Sequence, residues 1–385
     1  MEKNYTRHSV TCTLHLVRPF LCLMVVWVLA GCGMSKKAAD AAQEIQPKNS
    51  IRTLVAQKFP AGNAFIGAAT HYDLFGTETI ELLDREFGYV TPANDFKQTR
   101  IHPRPGEWNW KASDAWVEHA RRHGQVLRLH APISPQCSKW VKNDARMADE
   151  LALMLDEYLT ALCLKYNGVA NIKWLDVVNE TIDKKNGDWF GPKPGTDSWE
   201  NPWPQMGYDE NHELRPPIYI KKAFEIANRH ATSMQLIINQ HGALEPFVWE
   251  KMKALVAYLR ESGLRVDGLG WQAHIDVGWE QIPGNLERLQ ELIRWCHRNE
   301  LEFHITEFNV WLKGKKAGDR SAQAETFTAI GKVLLDGAAT GTVGLNYWQI
   351  RGSETPHPDW DGCIFDEQLR PKPAYDRLTD LLQQY

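Results

Sequence analysis

Short apolar runs alternate with longer amphipathic stretches from about residue 64 to the end of the chain. The apolar runs cover residues 64–70, 89–96, 126–133, 172–180, 235–242, 266–275, 302–310 and 343–350. Stretches with helical periodicity follow them at 77–87, 111–123, 145–166, 217–229, 247–261, 286–299, 322–339 and 374–382. Strands that are apolar on both faces indicate a parallel sheet buried on both sides. Eight such units predict an α/β fold, a single (β/α)8 TIM barrel.

An open, doubly wound sheet is the alternative architecture for this alternation. Such folds hold a phosphate on a glycine-rich loop after the first strand. No such loop follows residues 64–70, so the closed barrel is favoured and no cofactor is expected. The 44 basic and 48 acidic residues give a formal net charge of −4 without a basic stripe, which disfavours nucleic acid as a partner.

The first residues are typical of an export signal. Basic residues precede an apolar run at 20–30, which is short for a membrane span and has signal-peptide proportions. The run ends in Leu29-Ala30-Gly31-Cys32, which resembles the bacterial lipobox, in which the cysteine is lipidated. An ordinary signal peptide with a chance cysteine is the alternative.

The predicted organisation is a lipoprotein signal peptide at 1–31, a flexible tether at 32–50 and a catalytic barrel at 51–385. Gly33 follows Cys32, and by resemblance to the enterobacterial sorting rule this favours the outer membrane of a bacterial cell envelope. The periplasmic and surface faces stay open. We expect a monomer held to the membrane by its lipid.

Four cysteines belong to the predicted barrel. Cys163 and Cys296 lie in helical stretches and are expected to be buried thiols. Cys137 and Cys363 follow strands at the same rim of the barrel and are predicted to be the only plausible disulfide pair.

Polar residues gather where the predicted strands end. Active sites of TIM barrels lie at the C-terminal ends of the strands, so these residues are the first candidates for a site. They are Asn94, Asp95, Lys97, His130, Asn179, Glu180, Gln240, His241, Gln272, His274, Glu307, Asn309 and Trp348. No close set of His, Asp and Cys ligands stands at one strand end, so no metal is expected.

Two glutamates stand out among these residues. Glu180 ends the fourth predicted strand and Glu307 lies near the end of the seventh, and these strands face each other across a barrel. Two carboxylates across a cleft are what glycoside hydrolysis requires, one as nucleophile and the other as acid. A single glutamate at a strand end is more often a helix cap or a surface ion pair.

The order of short motifs resembles glycoside hydrolase family 10, the endo-β-1,4-xylanases and their relatives, over about residues 60–382. VTPANDFK is similar to VTPENEMKW, LRLH to VRGH, and DVVNE matches the acid/base motif. DGLGWQAHI resembles DGIGLQGHL, and HITEFNV resembles the nucleophile motif ITELDI. YWQI and FDEQLRPKPAYDRL resemble the last strand and the end of the family's barrel.

The resemblance implies a retaining hydrolase of xylan with Glu180 as acid/base and Glu307 as nucleophile. Glu180 is expected to be protonated at rest because Glu307 is charged nearby. His274, with Gln272, would hydrogen-bond and orient Glu307. The residues implied to hold the sugar are Asn94, Lys97, His130, Asn179 and Trp348.

The chain departs from the family pattern mainly around the substrate. Gln136 stands in for a family glutamine within HAPISPQ, and Trp360 for a second tryptophan after the last strand. A long loop at about 183–215 carries Trp189, Trp199 and Trp203, which either bind sugars or pack the loop against itself. The alternative functions are a retaining hydrolase of another β-glycan or aryl glycoside, and a non-catalytic glycan-binding barrel.

Overall fold

Parallel strands form a closed barrel in the computed structural model, which describes residues 50–142, 146–191, 201–314 and 319–385. The strands are β1 Ala64–Ala69, β2 Tyr89–Thr91, β3 Val126–Leu129, β4 Ile172–Asn179, β5 Gln235–Gln240, β6 Gly268–Trp271, β7 His274–Asp276, β8 Glu302–Trp311 and β9 Val343–Tyr347. They pair in the order β6-β5-β4-β3-β2-β1-β9-β8, and a β6–β8 pairing closes the ring. The predicted TIM barrel is confirmed.

One predicted strand is divided in two. The run at 266–275 forms β6 and β7, because Ala273 between them takes a φ of 58°, outside the extended region. β7 pairs only with the end of β8, where His274 lies opposite Asn309. The interruption therefore displaces His274 from the barrel wall towards the C-terminal end of β8.

Helices surround the barrel where the periodicity predicts them. They are α1 Ile51–Lys58, α2 Glu78–Glu86, α3 Gln98–Ile101, α4 Lys111–Arg122, α5 Ala148–Tyr166, α6 Ile218–His230, α7 Pro246–Glu261, α8 Asn285–Arg298, α9 Arg320–Asp336 and α10 Pro373–Gln383. α1 and the short α3 are additions to the eight expected. Ser50 caps α1 by accepting a hydrogen bond from the Thr53 amide, and α1 packs against α10.

Aromatic side chains fill the N-terminal end of the barrel interior. Trp174 lies 4.9 Å from both Phe65 and Tyr89 between ring centroids. Its Nε1 donates to Glu302 Oε2 at 2.6 Å. A TIM barrel is a packed core, not a pore, and these rings close its lower end. The site must therefore open at the other end.

The predicted disulfide is wrong. Cys137 and Cys363 are both buried, and no disulfide joins them. Cys363 Sγ lies 3.8 Å from the Trp348 carbonyl oxygen, and Cys137 Sγ lies 3.8 Å from that of Pro135. Cys163 and Cys296 are buried free thiols in α5 and α8, as predicted. Burial raises the pKa of Cys163 to about 12, which makes this thiol unreactive.

Asp84, His119 and His123 form a cluster with metal-ligand spacing on α2 and at the end of α4, away from the strand ends of the rim. The Asp84 carboxylate already contacts His119 Nε2 at 2.8 Å and His123 Nδ1 at 3.3 Å. Arg52 donates to the backbone carbonyls of Asp84 and His123. Electrostatic pairing with the imidazoles therefore accounts for the cluster, which ties α1, α2 and α4 together.

The signal peptide and residues 32–49 of the predicted tether, Cys32 included, lie outside the described residues, as does Trp199, whereas Ser50 already belongs to the barrel domain as the cap of α1. Within the described ranges, no helix has both the length and the apolar character needed to cross a membrane.

Candidate active site

Several strand ends at the C-terminal rim have left-handed backbone conformations. Residues with positive φ that are not glycine are uncommon, and each costs on the order of 1–3 kcal/mol. Those of the rim are Ala93, Ala131, Glu180, Ala273 and Gln349, with φ between 26° and 72°. At Glu180, φ is 59°, so the chain turns away from the line of β4 directly at this carboxylate.

A buried ion pair lies beneath the rim. Arg128 Nε donates to Asp176 Oδ2 at 2.9 Å, and the guanidinium makes a second contact with Asp176 Oδ1. Neither side chain is exposed to solvent. Burial raises the pKa of Asp176, but the charge of Arg128 and a hydrogen bond with His130 outweigh this and lower the pKa. Asp176 is therefore a carboxylate.

Asp176 orients His130. His130 Nδ1 lies 2.9 Å from Asp176 Oδ2, and because a carboxylate only accepts, Nδ1 carries the hydrogen. The other ring nitrogen, Nε2, then points to Glu307 Oε1 at 3.5 Å. Asp176 was not among the predicted site residues, although its charge within the apolar β4 run was the available signal.

Glu307 lies among groups that stabilise its negative charge. His274 Nε2 is 3.2 Å from Glu307 Oε2, and Asn239 Nδ2 donates to Oε1 at 3.0 Å. Burial raises the pKa of Glu307, but the charges of His130, His274 and Lys97 and the His274 hydrogen bond outweigh this and lower the pKa. Glu307 is thus held as a carboxylate with His274 beside it, where the resemblance places that histidine.

Glu180 has a different set of partners. Gln272 Nε2 donates to Glu180 Oε1 at 2.9 Å, and Asn179 Nδ2 donates to the same oxygen at 3.2 Å. Gln272 hydrogen-bonds Glu307 only through the backbone, where its carbonyl oxygen accepts from the Glu307 amide at 3.1 Å, and its side chain reaches across to Glu180 instead of the Glu307 carboxylate. Glu180 Oε2 faces His241 Nδ1 at 3.6 Å.

The expectation that Glu180 is protonated at rest is also not met. Burial raises the pKa of Glu180, but hydrogen bonds from His241 and Gln272 and the charges of His241 and Lys97 outweigh this and lower the pKa to about 2. The expectation considered only the negative charge of Glu307. His241 also lies against Glu180, and its hydrogen bond favours the carboxylate.

Asn239 joins the surroundings of the two glutamates. Its Nδ2 donates both to Glu307 Oε1 and, at 2.9 Å, to Asn179 Oδ1. Its Oδ1 accepts from Thr306 Oγ1 at 2.7 Å, which fixes the orientation of the amide. Asn239 is a functional residue that the predicted set omits, although it stands at the end of β5, whereas His241 was predicted at the rim without a role.

Lys97 is a buried cation beside the carboxylates. Burial lowers the pKa of Lys97, and the charges of Glu307, Glu180 and Asp176 oppose that effect. Its Nζ donates to Gln136 Oε1, so the structure brings these two predicted residues together. Asn94 follows β2 near them, and its buried Oδ1 has no hydrogen-bond partner among the described residues. A sugar hydroxyl is a suitable donor for such an oxygen.

Aromatic rings border the site on the β9 side. Trp348 is 8% exposed and meets His130 edge-on, with 5.2 Å between centroids. Trp360 lies further out and contacts His274 only through Trp311, which stacks on His274 at 5.5 Å and meets Trp360 at 4.8 Å. The geometry therefore places Trp348 beside the carboxylates and Trp360 at one remove.

The tryptophans of the long loop divide between core and surface. Trp203 is fully buried, and its Nε1 donates to the Ser134 carbonyl at 3.1 Å. Trp189 is half-buried, with Lys251 Nζ 4.2 Å from its ring centroid. Packing of the loop therefore accounts for Trp203, and Trp189 is covered on one face.

Comparison with known proteins matches the chain to a family of enzymes. The profile described as glycosyl hydrolase family 10 matches residues 50–381, which span the whole barrel. The chain belongs to glycosyl hydrolase family 10. The chain is accordingly a glycoside hydrolase, and the family resemblance read from the motifs is confirmed.

Relatives of this family member cover nearly its whole length. Endo-1,4-beta-xylanase B of Thermotoga neapolitana is 28% identical over 85% of this chain and 88% of its own. Endo-1,4-beta-xylanase A of Halalkalibacterium halodurans is 26% identical over 94% of this chain and 98% of its own. The crystal structure of native xylanase 10B from Thermotoga maritima has a TM-score of 0.71 at 26% identity, covering 87% of this chain and 98% of that one.

The buried pair beneath the site generates a prediction for stability. Asp176→Asn leaves the Arg128 guanidinium buried without its counter-charge, and it removes the charge that orients His130. We expect the free energy of unfolding, measured in urea at neutral pH, to fall by about 3–5 kcal/mol, the usual effect of breaking a buried pair. Hydrolytic activity should fall as well, because His130 no longer supports Glu307.

Glu118→Gln is the matched control. Glu118 pairs with Arg121 and Arg122 at the surface, so its removal should leave stability and activity nearly unchanged. If Asp176→Asn were as stable as Glu118→Gln, the buried pair would not support the site.

Proposed function

We propose that this family 10 hydrolase cleaves internal β-1,4 linkages of xylan by double displacement, with retention of configuration at the anomeric carbon. The observation that carries the proposal is the difference in environment between the two buried glutamates, which end β4 on one side of the barrel and lie in β8 on the other. A hydrolase of this type needs two carboxyl groups with distinct roles. Xylan is supported by the relatives, which are named as endo-1,4-β-xylanases.

Glu307 is proposed as the nucleophile. The neighbouring Lys97, His130 and His274 and the Asn239 amide favour its ionised form, as an attacking carboxylate requires. In the first step, a Glu307 oxygen forms an ester bond to the anomeric carbon while the glycosidic C–O bond breaks. In the second, water attacks the same carbon and the ester bond to Glu307 breaks.

Glu180 is proposed as the acid/base. It protonates the leaving glycosidic oxygen in the first step and accepts a proton from the attacking water in the second. Gln272 and Asn179 hold one carboxyl oxygen, which fixes the plane of the group for both transfers.

The sugar under attack is proposed to lie between the polar side of the site and Trp348. Lys97, Asn94 and His130 offer hydrogen bonds to its hydroxyls, and the Asn179 amide reaches its 2-hydroxyl. Trp348 presents an aromatic surface to a pyranose ring. Gln136 acts through Lys97, whose ammonium it accepts from. Trp360 would contact a neighbouring sugar.

The predicted export signal is consistent with an enzyme that hydrolyses a polysaccharide outside the cytoplasm. We propose that Cys32 is acylated and that the tether at 32–50 attaches a monomeric barrel to the outer membrane of a bacterial cell envelope. The LAGC sequence at the end of the apolar run supports this.

The substrate is tested by a reducing-sugar assay of the purified barrel on a panel of plant and algal polysaccharides. We expect xylan to release reducing ends fastest, with oligosaccharides as the early products of internal cleavage. Release from another β-glycan alone would keep the mechanism and reject xylan. Release from none of them would favour a non-catalytic glycan-binding barrel.

Substitution of the two glutamates tests their roles. Glu307→Gln should reduce turnover of every substrate to background, because no covalent intermediate forms. Glu180→Ala should lose about 10²–10⁴-fold on xylan but much less on aryl glycosides whose leaving groups need no proton. Azide should accelerate the second step of Glu180→Ala and yield a β-glycosyl azide.

Proton NMR of the first product checks the stereochemistry. Retention requires that the β-anomer appears first and then mutarotates. An α-anomer as the initial product, or full turnover by Glu307→Gln, would reject this assignment of the glutamates.

Membrane attachment is tested by Cys32→Ala. After cell fractionation, we expect the protein with Cys32 in the membrane fraction and the Cys32→Ala variant in the soluble fraction, because a lipid-modified cysteine is the proposed anchor. Equal partition of both proteins would exclude acylation at Cys32.

A further inference from the structure

His241 lies beside Glu180, although two catalytic carboxylates do not by themselves require a histidine at this position. It follows β5, its side chain is 16% exposed, and its Nδ1 is 3.6 Å from Glu180 Oε2. Its Nε2 is 3.0 Å from the Ile182 carbonyl oxygen, and Phe190 packs edge-on against its ring at 5.7 Å. The imidazole is therefore held in place from the side opposite Glu180.

The Ile182 carbonyl determines which nitrogen carries hydrogen. A carbonyl oxygen only accepts, so the His241 Nε2 must be the donor. In the neutral ring, Nδ1 then has a lone pair and faces Glu180 Oε2. If Glu180 were ionised as well, two lone pairs would oppose each other. One proton between Nδ1 and Oε2 removes this repulsion, whether it is bonded to the histidine or to the glutamate.

The other oxygen of Glu180 is already satisfied. Gln272 and Asn179 both donate to Oε1, so a proton on Glu180 is placed at Oε2, on the side of His241. We infer that His241 and Glu180 share one proton, and that His241 is a positioning residue which keeps this proton available for the leaving oxygen. The inference rests on the proposed role of Glu180 as acid/base.

The pair of His241 and Glu180 gives up one proton in the first step and regains one in the second. When the glycosidic C–O bond breaks and the ester to Glu307 forms, the leaving oxygen takes the shared proton through Glu180. The pair is then a carboxylate and a neutral imidazole. When water attacks the anomeric carbon and the ester breaks, the proton released by water returns to the pair. No other reactant is needed.

Sharing a proton extends to higher pH the range in which the catalytic acid is protonated. The last proton of two coupled sites is held at an apparent pKa no lower than that of either site alone. The alkaline limb of kcat/KM reports this proton in the free enzyme. Without His241, the limb reports Glu180 alone and should lie at lower pH.

Other charged groups near the pair are unchanged by a substitution at His241. Lys97, from the loop after β2, lowers the proton affinity of Glu180. Glu307, from β8, acts in the opposite direction and connects to Glu180 through Asn239 and Asn179. Asp176 and His130, paired at 2.9 Å, lie behind Glu307, and His274 adjoins it. Lys184 and Glu245 lie beside Gly242, the residue after His241.

The decisive variant is His241→Gln, which can retain a donor to the Ile182 carbonyl but holds no extra proton. On an aryl xyloside with a poor leaving group, we expect the alkaline limb of kcat/KM to move down by about one pH unit or more. On the dinitrophenyl xyloside, whose leaving group needs no proton, the limb should not move. A purely structural role of His241 would affect both substrates alike.

His212→Gln is the matched control, because His212 lies in the loop after β4 and pairs at 4.0 Å with Glu261, outside the site. Its profile should be that of the unmodified enzyme. An alkaline limb of His241→Gln that coincides with this profile on both substrates would overturn the inference. The azide response of Glu180→Ala tests the role of Glu180 separately, so the two failures are distinguishable.

Nitrogen-15 NMR of histidine-labelled enzyme gives a readout that does not depend on turnover. The imidazole signal absent from His241→Gln identifies His241. We expect Nε2 to stay protonated throughout the titration, and the midpoint of Nδ1 to fall in Glu180→Gln. A neutral ring protonated at Nδ1, or a midpoint unaffected by Glu180→Gln, would contradict a shared proton.

Discussion

The buried pair of Arg128 and Asp176 is the interaction on which the arrangement of the site depends. Burial alone would raise the pKa of the Asp176 carboxyl, and Arg128 is the main group that opposes this effect. The pair keeps Asp176 ionised, Asp176 fixes the ring of His130, and His130 then presents Nε2 to Glu307. A chain of contacts between side chains of the neighbouring strands β3 and β4 thus links the buried ion pair to Glu307 at the rim.

Two glutamates of identical chemistry acquire different behaviour from their neighbours. Glu307 is surrounded by His130, His274 and Lys97, which favour its negative charge. Glu180 receives two amide donors on one oxygen and faces an imidazole with the other. The first environment suits an attacking group that never needs a proton. The second suits a group whose proton must leave and return.

Periodicity predicts the barrel strands, the eight main helices and the residues at the rim, because these depend on which positions are buried, but it does not show α1, α3 or the division between β6 and β7. The hydrogen-bond partners depend on register, which the sequence does not display. In β4, the pairing with β5 shifts between Asp176 and Val178, so Asp176 and Asn179 both turn inwards although they are three residues apart. Regular alternation could not have placed these two together. The same limit explains why the side chain of Gln272 was expected at Glu307, whereas it donates to Glu180.

The backbone at Glu180 has a consequence for the evolution of this barrel. Its φ of 59° suits glycine or asparagine better than glutamate, and only the hydrogen bonds from Gln272 and Asn179 to the carboxylate act against this strain. Selection for thermal stability alone would therefore favour replacement of Glu180, and it would oppose selection for hydrolysis at this one position. Descent from an active enzyme to an inert sugar-binding barrel is consequently a stabilising path, which only a continuing requirement for catalysis prevents.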